Sequence, residues 1–466
     1  MVMDVLNYLD DVLYYPILMV ILVAAGLVFS WKTRLIQLRM FAESIRVVME
    51  KPTKDGNVSS FQALMVSTAS RVGTGNIIGV STAICLGGPG AVFWMWIIAI
   101  IGGATAFIES TLAQVYKRRN ALGHSYGGPA YYIETAMHNR GLGVLFALSL
   151  ILTYAGGFNL LCSFNMQSTF LVYDFYDPTM TPWILGAVFA ALVAYCLIGG
   201  GQRIIKVTSI MVPVMGAIYI LAALVVVVAH ISSLPQVFSM IFADAFDFES
   251  ILGGVSGSCL IYGIKRGLYS NEAGIGSAPN AAADVSHPVK QGLVQMLSVF
   301  IDTLLVCSAT AFMGLFSGVP ITKEVAGAAY VQSAASAVFG GFGPLLITLC
   351  MLLFGFSTLI GNLYYVDNCI RFIHKGAPSQ SFVYSFRLVC IAVVFIGAGM
   401  SMAAVWAIAD ILMAIMCFIN IPACFILSKV AVNAMNDYQK QREAGQIPVF
   451  KAAAIGIDES TVQYWK

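Results

Sequence analysis

The eight residues Ala69-Ser-Arg-Val-Gly-Thr-Gly-Asn76 interrupt an apolar run that extends from about residue 60 to residue 86. A plain membrane span would hold Leu and Val here, whereas this stretch holds two glycines, two hydroxyl side chains, an arginine and an asparagine. Backbone that is not helical is tolerated at membrane depth only where it lines a cavity or is buried in protein. The stretch therefore predicts a broken membrane helix whose break contributes to a binding site.

A second interruption lies in the other half of the chain. Polar and charged residues replace Leu and Val between Gly263 and Gly276, in the sequence GIKRGLYSNEAGIG. Each interruption falls in the first apolar run of a group of five, over residues 60–230 and 249–428. Two groups with an odd number of spans insert in opposite orientations. This is the layout of inverted-repeat secondary transporters, in which paired interrupted helices mark the binding site.

The glycines of the first break have a second interpretation. Glycine in a membrane helix also allows neighbouring helices to pack closely. Packing alone does not require four consecutive helix-weakening residues, Gly73 to Asn76, directly after Arg71 and Val72. We therefore favour a functional break and keep packing as the alternative.

The composition indicates a membrane protein. Of the 466 residues, 59% are hydrophobic and 10% are charged, and the mean hydropathy is +0.84. A soluble domain carries about 25% charged residues, and a disordered chain has low hydrophobicity and high charge. Both classes are therefore excluded. The net charge of +2 gives no indication of a nucleic-acid partner.

Catalytic and metal-binding patterns are missing from the sequence. The five His residues form no pair at i, i+4 spacing, and the ten Cys residues form no CxxC motif. The chain also contains no HExxH motif and no repeated channel filter. We therefore expect neither an enzyme nor a channel, and no organic cofactor.

Eleven apolar runs are long enough to form membrane helices, which need about 20 residues. They cover residues 12–30, 60–86, 89–115, 142–170, 182–199, 203–230, 249–277, 288–316, 343–366, 383–400 and 403–428. The sequence thus predicts an all-α integral membrane protein with 11 transmembrane helices, in which one N-terminal helix precedes a 5+5 inverted repeat. The predicted segments are an N-terminal helix with an amphipathic loop (1–59), the first repeat (60–230), an extracellular connection (231–248), the second repeat (249–428) and a cytoplasmic tail (429–466).

Basic residues are distributed unevenly over the predicted loops. Of the 25 Lys and Arg residues, all but Lys323 and Arg71 fall on the side of the C-terminal tail, with Lys265 and Arg266 counted there. Loops rich in Lys and Arg remain in the cytoplasm. We therefore expect the amino terminus outside and the carboxyl terminus in the cytoplasm of a plasma or inner membrane.

Both interruptions resemble the signatures of a known family. Residues 69–79 (ASRVGTGNIIG) and residues 265–279 (KRGLYSNEAGIGSAP) are similar to the two motifs of the alanine or glycine:cation symporter family. The eleven-span plan covers nearly the whole chain and resembles the leucine-transporter-type inverted repeat with one extra helix in front. The resemblance implies sodium-coupled uptake of a small neutral amino acid, with Na+ as the coupling ion.

The resemblance also implies a substrate site on the two broken helices. Its candidate residues are Thr74, Gly75, Asn76, Gln167, Tyr269, Ser270, Asn271 and Asn362. The turn at 73–76 resembles the one whose backbone amides receive the substrate carboxylate. Many family members carry Phe at the position of Tyr269 and Trp at the position of Asn362. The asparagine at position 362 predicts a pocket that is larger or more polar than usual. A buried Tyr269 hydroxyl needs a hydrogen-bond partner, and Asn362 is the candidate for it.

A sodium site is implied by the same resemblance. Its candidate ligands are backbone carbonyls and hydroxyls of Ala69, Val72, Phe354, Ser357 and Thr358. About five oxygens suit a hard cation. The alternative for Ser357 and Thr358 is that their hydroxyls only bond back to carbonyls of their own helix.

Charged side chains inside the predicted spans are the last group of candidates. Such charges cost roughly 2.5–3.5 kcal/mol on insertion scales and are functional by default. We expect Arg71, Glu109 and Glu272 to form an inner gate or brace, and the alternative is a purely structural ion pair. Asp302 and Asp410 lie in the middle of spans, and the sequence identifies no partner for either. Asp302 is the candidate for proton coupling.

The sequence as a whole predicts sodium-coupled symport of small neutral amino acids, such as alanine or glycine, into the cell. A proton-coupled amino-acid transporter of the same fold is the alternative. The expected partners are the amino acid and the lipid bilayer, without nucleic acid and without an obligatory protein partner.

Overall fold

The structure is a computed structural model that describes residues 2–50, 58–119, 125–198, 200–247, 249, 258–281, 283–376 and 378–465. The described chain is almost entirely helical. Its described strands, β1 (Arg118–Arg119) and β2 (Ser125–Tyr126), form a short antiparallel hairpin. This confirms the all-α class.

We number the helices of the described residues in chain order. They are α1 (Val2–Val12), α2 (Met19–Lys32), α3 (Ile36–Arg39), α4 (Phe41–Val48), α5 (Ser60–Arg71), α6 (Ile78–Thr82), α7 (Ala91–Val115), α8 (Pro129–Ala136), α9 (Arg140–Ile151), α10 (Phe158–Ser168), α11 (Thr181–Ile198), α12 (Gly200–Ala229), α13 (Leu234–Ala245), α14 (Cys259–Asn271), α15 (Pro288–Val299), α16 (Ser308–Phe316), α17 (Ala328–Phe339), α18 (Phe342–Ile373), α19 (Gln380–Ala398) and α20 (Met402–Glu443). Three π-helical segments, Leu13–Leu18, Leu152–Gly157 and Phe300–Cys307, join α1 to α2, α9 to α10 and α15 to α16.

Within the described residues, seven helices are long and apolar enough to cross a membrane. They are Ala91–Val115, Arg140–Val172, Arg203–Ala229, Pro288–Phe316, Phe342–Ile373, Gln380–Ala398 and Met402–Glu443, and each coincides with a predicted span. Shorter apolar helices at Met19–Lys32, Thr74–Gly87 and Thr181–Leu197 overlap three further predicted spans. The chain is thus a multi-pass membrane protein, while the count of eleven and the division into two repeats stay predictions. The predicted span 249–277 includes residues 250–257, which lie outside the described residues.

The first broken helix begins with a well-formed cap. The Ser59 side chain accepts a hydrogen bond from Gln62 N, and the Gln62 side chain accepts one from Ser59 N, which satisfies two of the free amides of α5. The helix ends at Arg71 because Val72 adopts ψ 89° and Gly73 is extended. A 3-10 turn at Thr74–Asn76 precedes α6. The predicted break is therefore present between residues 71 and 78.

The second broken helix is α14 with the irregular segment that follows it. Helix α14 ends where Glu272 takes a left-handed conformation with φ +53°. Gly274 and Gly276 follow with φ +93° and +85°. Glycine adopts these angles without the steric cost that other residues pay. The glycines of the second signature thus permit the irregular backbone that follows α14.

Both breaks lie deep inside the helix bundle. Every residue from 63 to 85 is buried, and so are residues 266–281. Helix α7 packs on α14 and α15, and α18 packs on α5 and α12. Exposed apolar side chains concentrate instead on peripheral helices such as α11, α12 and α19. The breaks therefore face protein, as non-helical backbone in a membrane requires.

The C-terminal segment packs against the end of α7. Trp465 Nε1 donates a hydrogen bond to Gln114 O at 2.8 Å. Lys117 Nζ donates to Ala283 O at 2.7 Å and lies 3.7 Å from the centre of the Tyr464 ring. Burial lowers the pKa of Lys117 to about 7. The predicted polar tail is therefore packed against the protein at this end.

Candidate functional site

The two breaks meet in space although they are far apart in sequence. Asn76 Nδ2, in the first break, donates a hydrogen bond to Ser270 Oγ in the second at 3.0 Å. A Cβ atom at Gly75 would overlap Cε1 of Tyr269 and would lie 2.7 Å from its Cδ1. The backbone of the first break thus lies directly against the ring of Tyr269. This juxtaposition unites four predicted substrate residues.

The turn at Thr74–Asn76 is suited to an anionic group. Asn76 Oδ1 accepts a hydrogen bond from Gly73 N at 2.8 Å, and Asn76 N donates to Gly73 O at 3.1 Å. The amides of Thr74 and Gly75 lie ahead of this first hydrogen bond of the turn. Thr74 Oγ1 is held by Asn165 Nδ2 at 3.0 Å. Amides at the start of a helical segment carry partial positive charge and bind carboxylates.

Aromatic rings form a wall beside this turn. The Tyr269 ring packs edge to face against Phe158 and against Trp406, with 5.0 Å between ring centroids in both cases. The Arg266 guanidinium lies 3.8 Å from the centre of the Trp406 ring. The aromatic groups limit the space available next to Gly75.

Two predicted substrate residues bond to partners outside the junction. Asn271 Oδ1 accepts a hydrogen bond from Ala273 N at 3.0 Å, and its buried Nδ2 has no partner among the described residues. Gln167 Oε1 accepts one from Tyr176 OH at 2.8 Å, in the loop after α10. In this structure the side chain of Gln167 is thus committed to the loop, and its substrate role stays a prediction.

Asn362 connects the first broken helix to α10. Ser70 Oγ donates to Asn362 Oδ1 at 2.6 Å, and Asn362 Nδ2 donates to Asn159 Oδ1 at 2.9 Å. Asn362 is fully buried, so these bonds occupy both sides of its amide. The sequence also suggested that Asn362 is the hydrogen-bond partner of Tyr269. That pairing is not formed, because the amide is already used by Ser70 and Asn159.

A double-mutant cycle measures this connection. We expect Ser70→Ala and Asn362→Ala each to lower the free energy of unfolding, because each leaves a buried polar partner without its bond. The double variant should be less destabilised than the sum, by a coupling of about 1 kcal/mol. Chemical denaturation in detergent measures all four proteins. Simple additivity would contradict the hydrogen bond.

Four of the five predicted sodium ligands come together. Thr358 Oγ1 donates a hydrogen bond to Phe354 O at 2.9 Å and lies 3.3 Å from Ala69 O. Ser357 Oγ also donates to Phe354 O at 2.9 Å. A Cβ atom at Gly73, next to the fifth candidate Val72, would overlap Thr358 Oγ1. Neutral oxygens from α5 and α18 thus converge at the break, and this donor set fits a hard cation.

The predicted inner ion pair is not formed directly. Arg71 is buried, and none of its three guanidinium nitrogens has a hydrogen-bond partner among the described residues. Glu109 accepts hydrogen bonds from Asn420 Nδ2 at 2.8 Å and from Gly274 N at 3.4 Å, whereas Glu272 accepts one from Ser277 Oγ. Arg71 nevertheless acts electrostatically on both carboxyl groups. The alternative of a purely structural ion pair is therefore not formed by direct contact, and the inner gate or brace stays a prediction.

A second charged cluster corrects the assignment of Lys265 and Arg266. Lys265 Nζ lies 2.6 Å from Asp10 Oδ2 and 3.3 Å from Asp410 Oδ2, and Arg266 Nη1 lies 3.4 Å from Asp410 Oδ1. Both cations belong to α14, and Lys265 contacts Asp10 in the first helix. They lie at the end of the molecule that carries the amino terminus, so counting them with the basic loops at the other end was wrong. Asp410 therefore has basic partners.

Asp302 belongs to this site, although the sequence identified no partner for it. Its carboxyl group contacts Asn76 in the first break and Ser270 in the second. The available signal was its position in the middle of a span. Sequence could not supply these partners, because they lie 226 and 32 residues away along the chain.

Two interrupted helices that meet inside a bundle of apolar helices define a secondary transporter. The sequence comparisons agree with this class. The profile of the sodium:alanine symporter family matches residues 1–452. The chain belongs to this family, whose members are transporters and not enzymes.

Three relatives from Bacillus subtilis illustrate the similarity. The amino-acid carrier protein AlsT is 44% identical over 440 residues, covering 93% of this chain and 92% of its own length. The probable sodium/glutamine symporter GlnT is 41% identical, with 95% and 91% covered. The putative sodium/proton-dependent alanine carrier protein YrbD is 39% identical, with 99% and 97% covered.

Proposed function

We propose that this protein couples the entry of sodium to the uptake of small neutral amino acids, alanine and glycine foremost. The observation that carries the proposal is the contact between the two breaks, through Asn76 with Ser270 and Gly75 with Tyr269. The relative YrbD, named as a putative sodium/proton-dependent alanine carrier protein, supports it.

The substrate carboxylate binds to the amides of the turn at 74–76, where the start of a helical segment offers positive partial charge. The side chain of the substrate points toward Tyr269, whose ring lies against Gly75. The aromatic wall leaves little room there, which favours glycine and alanine. A relative named as a glutamine symporter makes glutamine the competitor to test.

Sodium binds between Ala69, Val72, Phe354, Ser357 and Thr358. Ala69 lies five residues before Thr74 on the first broken helix, so a cation there stabilises the break that receives the substrate. The cation also links α5 to α18. The ion and the amino acid therefore both stabilise the same arrangement of the first broken helix. This shared preference is the basis of their coupling.

The proposed orientation has the amino terminus outside and the C-terminal segment in the cytoplasm. Moving Lys265 and Arg266 to the amino-terminal end reduces the asymmetry of basic residues but leaves its direction unchanged. Segments next to the two broken helices are in contact at the proposed cytoplasmic end, because Asp284 N donates to Val58 O at 3.0 Å. Rocking of one bundle against the rest would open this end.

The available driving force is sufficient for accumulation. One charge that crosses about 100 mV supplies roughly 2.3 kcal/mol. A tenfold sodium gradient adds about 1.4 kcal/mol. One sodium ion per substrate therefore sustains a gradient of several hundred-fold.

Proteoliposomes test the proposal with sodium and proton gradients imposed separately. We expect an inward sodium gradient to drive accumulation of labelled alanine, and unlabelled glycine, serine and glutamine then rank the pocket by competition. Alanine added outside the vesicles without sodium should only equilibrate slowly across the membrane. Uptake that ignores sodium and follows the proton gradient alone would contradict sodium coupling and favour the proton-coupled alternative.

A further inference from the structure

Asp302 is a fully buried carboxyl group in the π-helical segment between α15 and α16. Its Oδ1 accepts a hydrogen bond from Asn76 Nδ2 at 2.7 Å. Its Oδ2 accepts hydrogen bonds from Ser270 Oγ at 2.5 Å and from Thr303 Oγ1 at 2.8 Å. One carboxyl group therefore connects both breaks at the proposed substrate site.

No basic side chain of the described residues forms an ion pair with Asp302. Arg71 acts electrostatically on Asp302, and Cys307 lies on the same segment. The charged and titratable side chains of the helices packed against this segment include Glu109 of α7, Tyr219 of α12, Lys265, Arg266 and Tyr269 of α14, which Glu272 follows, and Lys290 of α15. Lys265 is paired with Asp10, and Lys290 is paired with Glu50. Arg266 is paired with Asp410, and Tyr219 OH is bonded to Thr310 Oγ1. Arg71 therefore remains as the cation that acts on Asp302, Glu109 and Glu272 together.

The charges of this region do not balance when all three carboxyl groups are ionised. Arg71 supplies one positive charge, and a sodium ion at the proposed site supplies a second. An ionised carboxylate without a counter-charge is so costly in a low-dielectric interior that such groups are paired or neutralised. A single proton balances the remaining negative charge.

The contacts of Asp302 accommodate both protonation states. In the ionised state Asn76, Ser270 and Thr303 all donate to it. In the protonated state Oδ2–H donates to Ser270 Oγ, and the Ser270 hydroxyl turns toward Cys307 Sγ, which lies 3.0 Å away. A hydroxyl is both donor and acceptor, so this reversal leaves no group unpaired.

We propose that Asp302 is the binding site of a proton that is cotransported with each amino acid. The inference rests on the proposed function, because that function places the substrate carboxylate at the turn that contains Asn76. An ionised Asp302 on the other side of Asn76 repels that carboxylate, and protonation removes the repulsion. The proton binds to Oδ2 from the outer solution and is released to the cytoplasm.

The test uses the whole protein in proteoliposomes that contain a pH-sensitive dye. Sodium-driven uptake of alanine by the wild type should acidify the lumen and move two positive charges per alanine at a clamped membrane potential. Asp302→Asn should abolish the acidification and reduce the ratio from two charges to one in the uptake that remains. Asp367→Asn is the matched control, because it replaces a half-exposed carboxyl group of α18 and should keep both values.

Wild-type uptake without acidification overturns the inference, whatever happens to the folding of the variant. Two charges per alanine without acidification also overturn it, and indicate a second sodium ion in place of the proton. Acidification that persists in Asp302→Asn but disappears in Glu109→Gln assigns the proton to Glu109 and rejects Asp302. Loss of sodium-driven uptake in the wild type contradicts the proposed function instead. The proton site is then tested on its own by the acidification that follows addition of alanine in sodium-free buffer.

Discussion

Replacement of Gly75 by leucine is expected to abolish substrate binding. Even a Cβ atom at this position would overlap Cε1 of Tyr269, so a leucine must displace the ring and fill the space beside the amides of Thr74 and Gly75. Overfilling of a packed site costs about 1–3 kcal/mol, and here the added atoms also occupy the proposed carboxylate position. Binding of labelled alanine to purified protein measures the loss, and size-exclusion chromatography reports folding.

Gly216→Leu is the matched control for this substitution. Gly216 also lies in a membrane helix, α12, but its Cβ position has no atom within 4 Å. The control should therefore bind alanine like the wild type. Normal binding by Gly75→Leu would show that the carboxylate does not bind at this turn. Loss of binding in both variants would show that leucine is disruptive at any glycine of a membrane helix.

The breaks could be predicted because their signal is local. A run of glycine and polar residues inside an apolar segment violates the composition of a lipid-facing helix, and only a small set of structures tolerates it. That violation alone predicted interruptions within 69–76 and 263–276, and the structure has the irregular backbone at 71–78 and 272–276. The family resemblance implied a site between the two broken helices, and the contact of Asn76 with Ser270 that brings them together is an observation of the structure.

The pairing of buried polar groups could not be predicted in the same way. Asn362 bonds to Ser70 and Asn159, which lie 292 and 203 residues away, and no periodicity encodes such distances. Lys265 and Arg266 were misassigned for a related reason. A charged pair near glycines indicates a loop end, unless carboxylates such as Asp10 and Asp410 neutralise it within the bundle.

The Ser357 and Thr358 hydroxyls at the proposed sodium site have two interpretations: they bind the cation, or they only bond to carbonyls of their own helix. The structure provides a way to distinguish the two. Ser357 Oγ donates to Phe354 O, one turn earlier on its own helix, as hydroxyls of apolar helices commonly do. Thr358 Oγ1 does the same but also lies 3.3 Å from Ala69 O on the first broken helix. Helix α12 supplies a comparison, because Thr208 and Ser209 bond back only to carbonyls of their own helix.

Removal of the Ser357 and Thr358 hydroxyls is therefore expected to weaken sodium binding specifically. The double variant Ser357→Ala/Thr358→Ala deletes two of about five oxygen ligands, and the half-saturating sodium concentration for alanine uptake should rise tenfold or more, about 1.4 kcal/mol. Alanine affinity at saturating sodium should change little, because neither hydroxyl contacts the turn at 74–76. Thr208→Ala/Ser209→Ala removes the same two groups from α12 and should leave the sodium dependence unchanged. An equal shift in both double variants would mean that the hydroxyls act through helix stability, and no shift in the first would place the cation elsewhere.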